Sequence, residues 1–241
     1  MATKLKSTIR RIPWSLVLRA GIFGFGWFLL PYEIFFLGAL YLYFIPMFQP
    51  RKLALPFFLL LLFSYIETPS LWSAILMSAA FYLVLGVKDL ILIDRVSAYE
   101  LLILLIVFLG GFQLFSSLDS SVGAYGLLVP IIWSGVFFFL FRNFLYYPED
   151  SPSFFGGVLR ERGIWVGAIA SFLFWQYLLF LLVLPLNFFY QTALLFIVAL
   201  LFFEILPYYV RGNLSRERIL ANLSVSFFLS LCVVTSASWS F

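Results

Sequence analysis

Apolar runs recur along the whole chain, separated by short polar or proline-bearing breaks. Every lysine and arginine falls in one of five stretches, at 4–19, 51–52, 88–95, 142–162 and 211–218. Between these lie breaks that carry no cation, at 31–33, 67–70, 116–121 and 185–191. Such alternation is the signature of a polytopic membrane protein, because cytoplasmic loops retain Lys and Arg while short translocated loops exclude them. The pattern puts the basic stretches on one side and the N-terminus in the cytoplasm. It predicts an all-α transmembrane helical bundle of about nine spans, with eight to ten compatible with the count. The spans fall near 14–30, 32–48, 53–66, 70–87, 99–115, 122–141, 164–184, 190–210 and 219–238.

The first pair tests the partition. A continuous helix from Pro13 to Phe48 would be about 54 Å long at 1.5 Å per residue, against a hydrocarbon core of about 30 Å. Pro31 and Glu33 supply the break, since proline removes a backbone donor and disfavours helix at the residue before it. The acids agree: Glu33, Glu67 and Asp119 lie in cation-free breaks, and seven of the eleven lie in or beside basic ones. Glu204 alone is left at membrane depth. The 53–66 span is short, so tilt, bilayer thinning or snorkelling of Arg51 and Lys52 is expected to absorb the mismatch.

Composition sets the solvent. With 64% hydrophobic and 11% charged residues, the polar side chains are too few to cover a soluble core. The net charge of +4 is thereby a property of loops beside anionic lipid rather than a nucleic-acid signal. Cys232 is the single cysteine and reads as a small buried hydrophobe. The chain reads as one integral membrane domain over 1–241, with a cytoplasmic segment at 1–13 and its longest cytoplasmic loop at 142–163. The first apolar run follows four cations and carries no small-residue cleavage site, which points to an uncleaved helix. A prokaryotic plasma membrane is the expected location.

The chain contains no histidine, which removes Ser–His and Cys–His nucleophile systems, histidine-ligated zinc and histidine-held haem. Gly110-Gly111 and Gly156-Gly157 match neither phosphate-loop spacing, and no cofactor or metal is expected. Asp89 and Asp94 would fall on different faces of a helix. The stretch 88–95 reads as a segment lying along the interface. Arg19, about a turn inside the first span, reads as a snorkelling cation.

Glu204 carries the one sharp polar hypothesis. Buried in hydrocarbon, a carboxyl must protonate or find a partner, and with Tyr208 at i+4 and Arg211 two turns on it forms a candidate intramembrane polar site. The bland account is structural: Pro207 frees the Phe203 carbonyl, and a protonated acid can satisfy groups nearby. Gln113, Gln176 and Asn222 are candidate partners. Gly163, Gly167 and Ser171 recur at four-residue spacing and suit close helix packing, as do Ala74 with Ser78 and Ser226 with Ser230. Trp14, Trp27, Trp72, Trp165 and Trp239 lie near span ends, where amphipathic rings favour the interface.

Three functional expectations follow. The first is a non-catalytic structural, assembly or accessory subunit, with membrane lipid as a partner and a membrane-protein subunit or a second copy of the chain as further candidates. The second is a carrier for a small solute, lipid or proton that uses Glu204. The third is a lipid-modifying enzyme at the cytoplasmic interface drawing on Asp89, Asp94, Arg142 or Glu161.

Overall fold

A computed structural model describes residues 13–45, 53–89, 95–118, 125–146, 156–210 and 212–237. Among these residues there are nine helices and no strand. They are α1 (Trp14–Leu29), α2 (Tyr32–Phe44), α3 (Ala54–Ile66), α4 (Leu71–Lys88), α5 (Arg95–Leu118), α6 (Tyr125–Tyr146), α7 (Gly156–Val183), α8 (Phe188–Val210) and α9 (Arg216–Ser236). Six of them, α4 to α9, are long and apolar enough to cross a membrane; α1, α2 and α3 are shorter apolar helices. At 1.5 Å per residue α2 and α3 reach about 20 Å, so these two would need the thinning or snorkelling foreseen for the short span.

The sequence breaks are helix boundaries. Pro31 separates α1 from α2, and Ser70 caps α4 through a reciprocal box in which its hydroxyl accepts from Ser73 N–H at 3.2 Å while Ser73 Oγ accepts from Ser70 N–H at 3.0 Å. α8 ends in a Schellman turn: Asn213 N–H reaches the Tyr208 carbonyl at 3.0 Å, Gly212 N–H reaches that of Tyr209 at 3.1 Å, and Gly212 takes φ +73°. Only glycine adopts that conformation without strain. Ser215 then caps α9 by accepting from Arg218 N–H at 3.3 Å.

One expectation is corrected. The stretch 142–163 is not a continuous loop, because α6 runs on to Tyr146 and α7 begins at Gly156. Arg and Glu are good helix formers, so the helices continue past the last apolar residue into polar sequence. Residues 147–155 lie outside the described residues.

The chain divides into two compact units, Met1–Leu102 and Ile103–Phe241, with the boundary inside α5. In the first, α1 packs on α2 and α4, and α3 packs on α4. Phe23 stacks on Phe81 at 4.1 Å and Tyr43 on Phe57 at 4.0 Å. The small pair Ala74 and Ser78 of α4 faces Gly24 of α1, where a Cβ would meet the Ser78 side chain and the Ala74 carbonyl. The ends of the helices sort into two groups. Arg19, Tyr43, Ile45, Lys88 and Asp89 meet at one end, and Trp27, Tyr32, Leu61 and Ser64 at the other. Successive helices of this unit thus run in alternating directions.

In the second unit α7 packs on α6 and α8, and α9 packs on α8. Phe137 stacks on Phe174 at 4.1 Å, and the Phe203 edge meets Phe141 at 5.5 Å and Phe144 at 5.2 Å. α5 approaches α6 through Gly110, whose carbonyl accepts from Trp133 Nε1 at 3.1 Å. α9 is exposed along most of its length, and Ser226 is its one buried residue.

Candidate functional site

Buried charge is scarce in an apolar chain, and among the described residues it is found at one end of the first unit. Lys88, the last residue of α4, is 1% exposed. Its ammonium donates to the Tyr43 carbonyl at 2.6 Å, lies 5.2 Å from the Tyr43 ring centroid and stands 3.0 Å from Asp89 Oδ1. Arg19 of α1 completes the group: its Nη1 is 3.6 Å from Asp89 Oδ2 and donates to the Ile45 carbonyl at 3.3 Å. Two cations therefore converge on one carboxylate and on carbonyls at the C-terminal end of α2. A helix C-terminus is the negative end of its dipole and leaves carbonyls without intrahelical donors. The arrangement ties α1, α2 and α4 together and sets the buried Lys88 ammonium against the Asp89 carboxylate and a helix-end carbonyl.

This geometry corrects two expectations. Lys88 and Asp89 do not lie along an interface but are enclosed; residues 90–94, Asp94 among them, are outside the described residues. Arg19 is more than a snorkelling cation, since its guanidinium engages the helix-end groups Ile45 and Asp89 while 32% of the side chain stays exposed. The cause is common to both: carbonyls at the end of α2 lack intrahelical donors and stand within reach of both cations. Trp27 is a third correction. It is 4% exposed and donates through Nε1 to the Ser64 carbonyl at 2.7 Å, whereas Trp14, Trp72 and Trp165 are exposed.

The residues singled out around Glu204 are arranged differently. Glu204 is half-buried in α8, and Arg211 lies outside the described residues. Tyr208 finds another cation: the Arg218 guanidinium of α9 sits 3.8 Å from its ring centroid. At the far end of the same helix pair the Tyr190 hydroxyl donates to the Ser236 carbonyl at 3.1 Å. Both contacts are separated by the same number of residues on α8 and α9, so the two helices are antiparallel in constant register. That register sets Glu204 level with Asn222, each one turn from the Tyr208–Arg218 stack. Asn222 Nδ2 is buried and hydrogen-bonded to nothing among the described residues.

Gly163 and Gly167 are buried, and a Cβ at Gly167 would touch Phe138 at 3.4 Å and Phe141 at 3.7 Å. Ser171, the third residue of the stripe, is 8% exposed with its hydroxyl unpartnered among the described residues. Of the charges proposed for an interfacial enzyme, Asp89 is committed to Lys88 and Arg19. The side chain of Glu161 lies outside the described residues. No group of three metal-ligating side chains occurs among the described residues.

Several interior polar side chains share one destination. Gln191 donates to the Leu181 and Leu184 carbonyls at 2.9 and 3.1 Å, Tyr32 to that of Leu61 at 3.3 Å, and Thr192 to that of Phe188 at 2.7 Å. With Lys88, Trp27 and Trp133, these donors end on backbone oxygens at helix ends or on neighbouring helices. Comparison with family models, with curated proteins and with solved structures finds no match for the chain.

Proposed function

We propose that the chain is an integral membrane protein with a non-catalytic, accessory or structural role, crossing a prokaryotic plasma membrane nine times with its N-terminus in the cytoplasm. The observation that carries the role is the fate of the interior polar groups. Lys88, Trp27, Trp133, Gln191 and Tyr32 all donate to backbone carbonyls, which spends them on holding helices together in a solvent that offers backbone no other partner. A catalytic or solute-binding interior would instead aim such groups at a shared cavity. Topology is supported by the alternating helix directions of the first unit, which bring Arg19, Lys88 and Asp89 to one end. That end corresponds to the cation-bearing breaks.

An accessory subunit should come out of the membrane with its partner. Extraction of the tagged chain in mild detergent, followed by native electrophoresis and mass spectrometry, is expected to give a stoichiometric membrane-protein partner or a homo-oligomer. Recovery of a monodisperse monomer under several detergents would speak against it.

A second reading, a carrier using Glu204, is supported by the level placement of Glu204 and Asn222 between α8 and α9. In reconstituted vesicles it requires a solute or proton flux that Glu204→Gln removes; a flux untouched by the substitution, or none, leaves the accessory role.

A further inference from the structure

Where α7 leaves the polar end of the second unit it forms one wall of a groove of 680 Å³. Arg162, Trp165, Val166 and Ile169 line that wall, spaced as one face of a helix. Opposite stand Tyr209 and Val210 of α8, with Gly212 and Leu214 beyond. The Schellman turn at Gly212 shapes this second wall: it stops α8, and nothing lies within 4 Å of where a Cβ at Gly212 would stand.

The lining is graded. Arg162 is exposed, and among the described residues no hydrogen bond or ion pair engages it; Trp165 and Tyr209 are 71% and 59% exposed. Further along α7 come Val166, half-buried, and Ile169, exposed and about 10 Å from Arg162 along the helix axis. A cation, then two amphipathic aromatics, then aliphatics is the order in which a phospholipid presents a phosphate, a glycerol ester region and an acyl chain. Basic grooves between helices on the cytoplasmic side have the chemistry to take anionic headgroups, and Arg offers a fork of donors matched to phosphate oxygens. The volume falls in the range that encloses a small ligand.

We propose that this groove is a binding site for an anionic phospholipid, with Arg162 against the phosphate, Trp165 and Tyr209 at the ester level, and Val166 and Ile169 along the first part of an acyl chain. The site rests on the membrane reading above and adds a ligand class to it. Arg162 confers the selectivity: a zwitterionic lipid fills the same groove but gains less from the cation, because its own ammonium competes.

Trp165 reports on occupancy. The full-length chain is reconstituted in phosphatidylcholine vesicles containing increasing fractions of phosphatidylglycerol or phosphatidylcholine brominated on the acyl chains, and Trp165 emission is taken as the difference from Trp165→Phe. Brominated phosphatidylglycerol is expected to quench at about fivefold lower mole fraction than brominated phosphatidylcholine, which is the discrimination of one basic residue contributing about 1 kcal/mol. Arg162→Gln should equalise the two lipids and Arg162→Lys should keep most of the preference. Equal quenching by both lipids in the unsubstituted chain overturns the proposal and leaves the membrane reading standing, as does a preference that survives Arg162→Gln. Abolition of the preference by millimolar inorganic phosphate also overturns it, in favour of a simple anion site. Absence of quenching by either lipid overturns both readings together.

Discussion

Lys88 is enclosed on all sides, and its ammonium donates to the Tyr43 carbonyl at 2.6 Å while standing 3.0 Å from the Asp89 carboxylate. The contact joins the C-terminal ends of α2 and α4 and leaves Asp89, 4% exposed as a side chain, dependent on Lys88 and Arg19 for its charge balance. Removing one partner of such a pair is costlier than removing both, because the surviving charge stays buried alone. Lys88→Met keeps the aliphatic stem and deletes the ammonium. It is expected to lower stability by about 3 kcal/mol in denaturant or thermal unfolding in micelles. Adding Asp89→Asn should restore part of the loss. A Lys88→Met protein as stable as the unsubstituted chain would show that the cluster contributes nothing to holding these helices.

Gly110 carries a second, purely steric prediction. The Trp133 indole lies where a Cβ on Gly110 would be built, and its Nε1 is bonded to the Gly110 carbonyl at 3.1 Å. Gly110→Ala therefore forces α5 and α6 apart or turns the indole, costing about 2 kcal/mol by the usual scale of overpacking. Gly135 of α6 is the control, since nothing lies within 4 Å of its added Cβ. Gly135→Ala should be neutral or stabilising by up to about 1 kcal/mol through helix propensity. Unfolding both variants beside the unsubstituted chain decides it, and equal behaviour of the two would refute the close approach.

The architecture was legible wherever a break in the apolar pattern had one physical meaning. Pro31, Ser70 and the polar residues after Val210 end or start helices in the structure as the sequence requires, and among the described residues the nine helices coincide with the nine apolar runs. What could not be read was where each charge would settle. Lys88 and Asp89 sit next to a helix end in sequence, yet only the fold brings the free carbonyls of α2 beside them. Trp27 looked like an interfacial ring for the same reason: its position near a span end is visible, while the Ser64 carbonyl that captures it belongs to another helix. The small-residue spacing of Gly24 against Ala74 and Ser78 had half a signal, in the Ala74–Ser78 pair. Gly110 had none, because a lone indole decides that approach. The level placement of Asn222 with Glu204 needed the register of α8 on α9, which no local pattern encodes.

Topology is tested by labelling from outside intact cells. With Cys232 replaced by Ser, a single cysteine is introduced at Thr68, exposed before α4, or at Asn213, exposed before α9. Thr68→Cys is expected to react with a membrane-impermeant maleimide in intact cells, and Asn213→Cys only after permeabilisation. The reverse pattern would invert the orientation. Reaction of both from outside would require an even number of crossings between them, in place of the five proposed.

The α8–α9 register makes the last prediction and bears on Glu204. Arg218 over Tyr208 at 3.8 Å and Tyr190 on Ser236 at 3.1 Å fix the two ends of this helix pair. A cation–π stack of this kind contributes about 1 kcal/mol, and the match at both ends means that a slip of one turn would lose both contacts together. Glu204→Cys paired with Asn222→Cys, again without Cys232, is expected to form a disulfide under mild oxidation. Glu204→Cys paired with Ser224→Cys should not, because Ser224 is exposed on a different face of α9. Bridging of the second pair at the rate of the first would mean that α9 rotates freely on α8. It would also remove the structural support for a polar pair at Glu204 and, with it, the carrier reading.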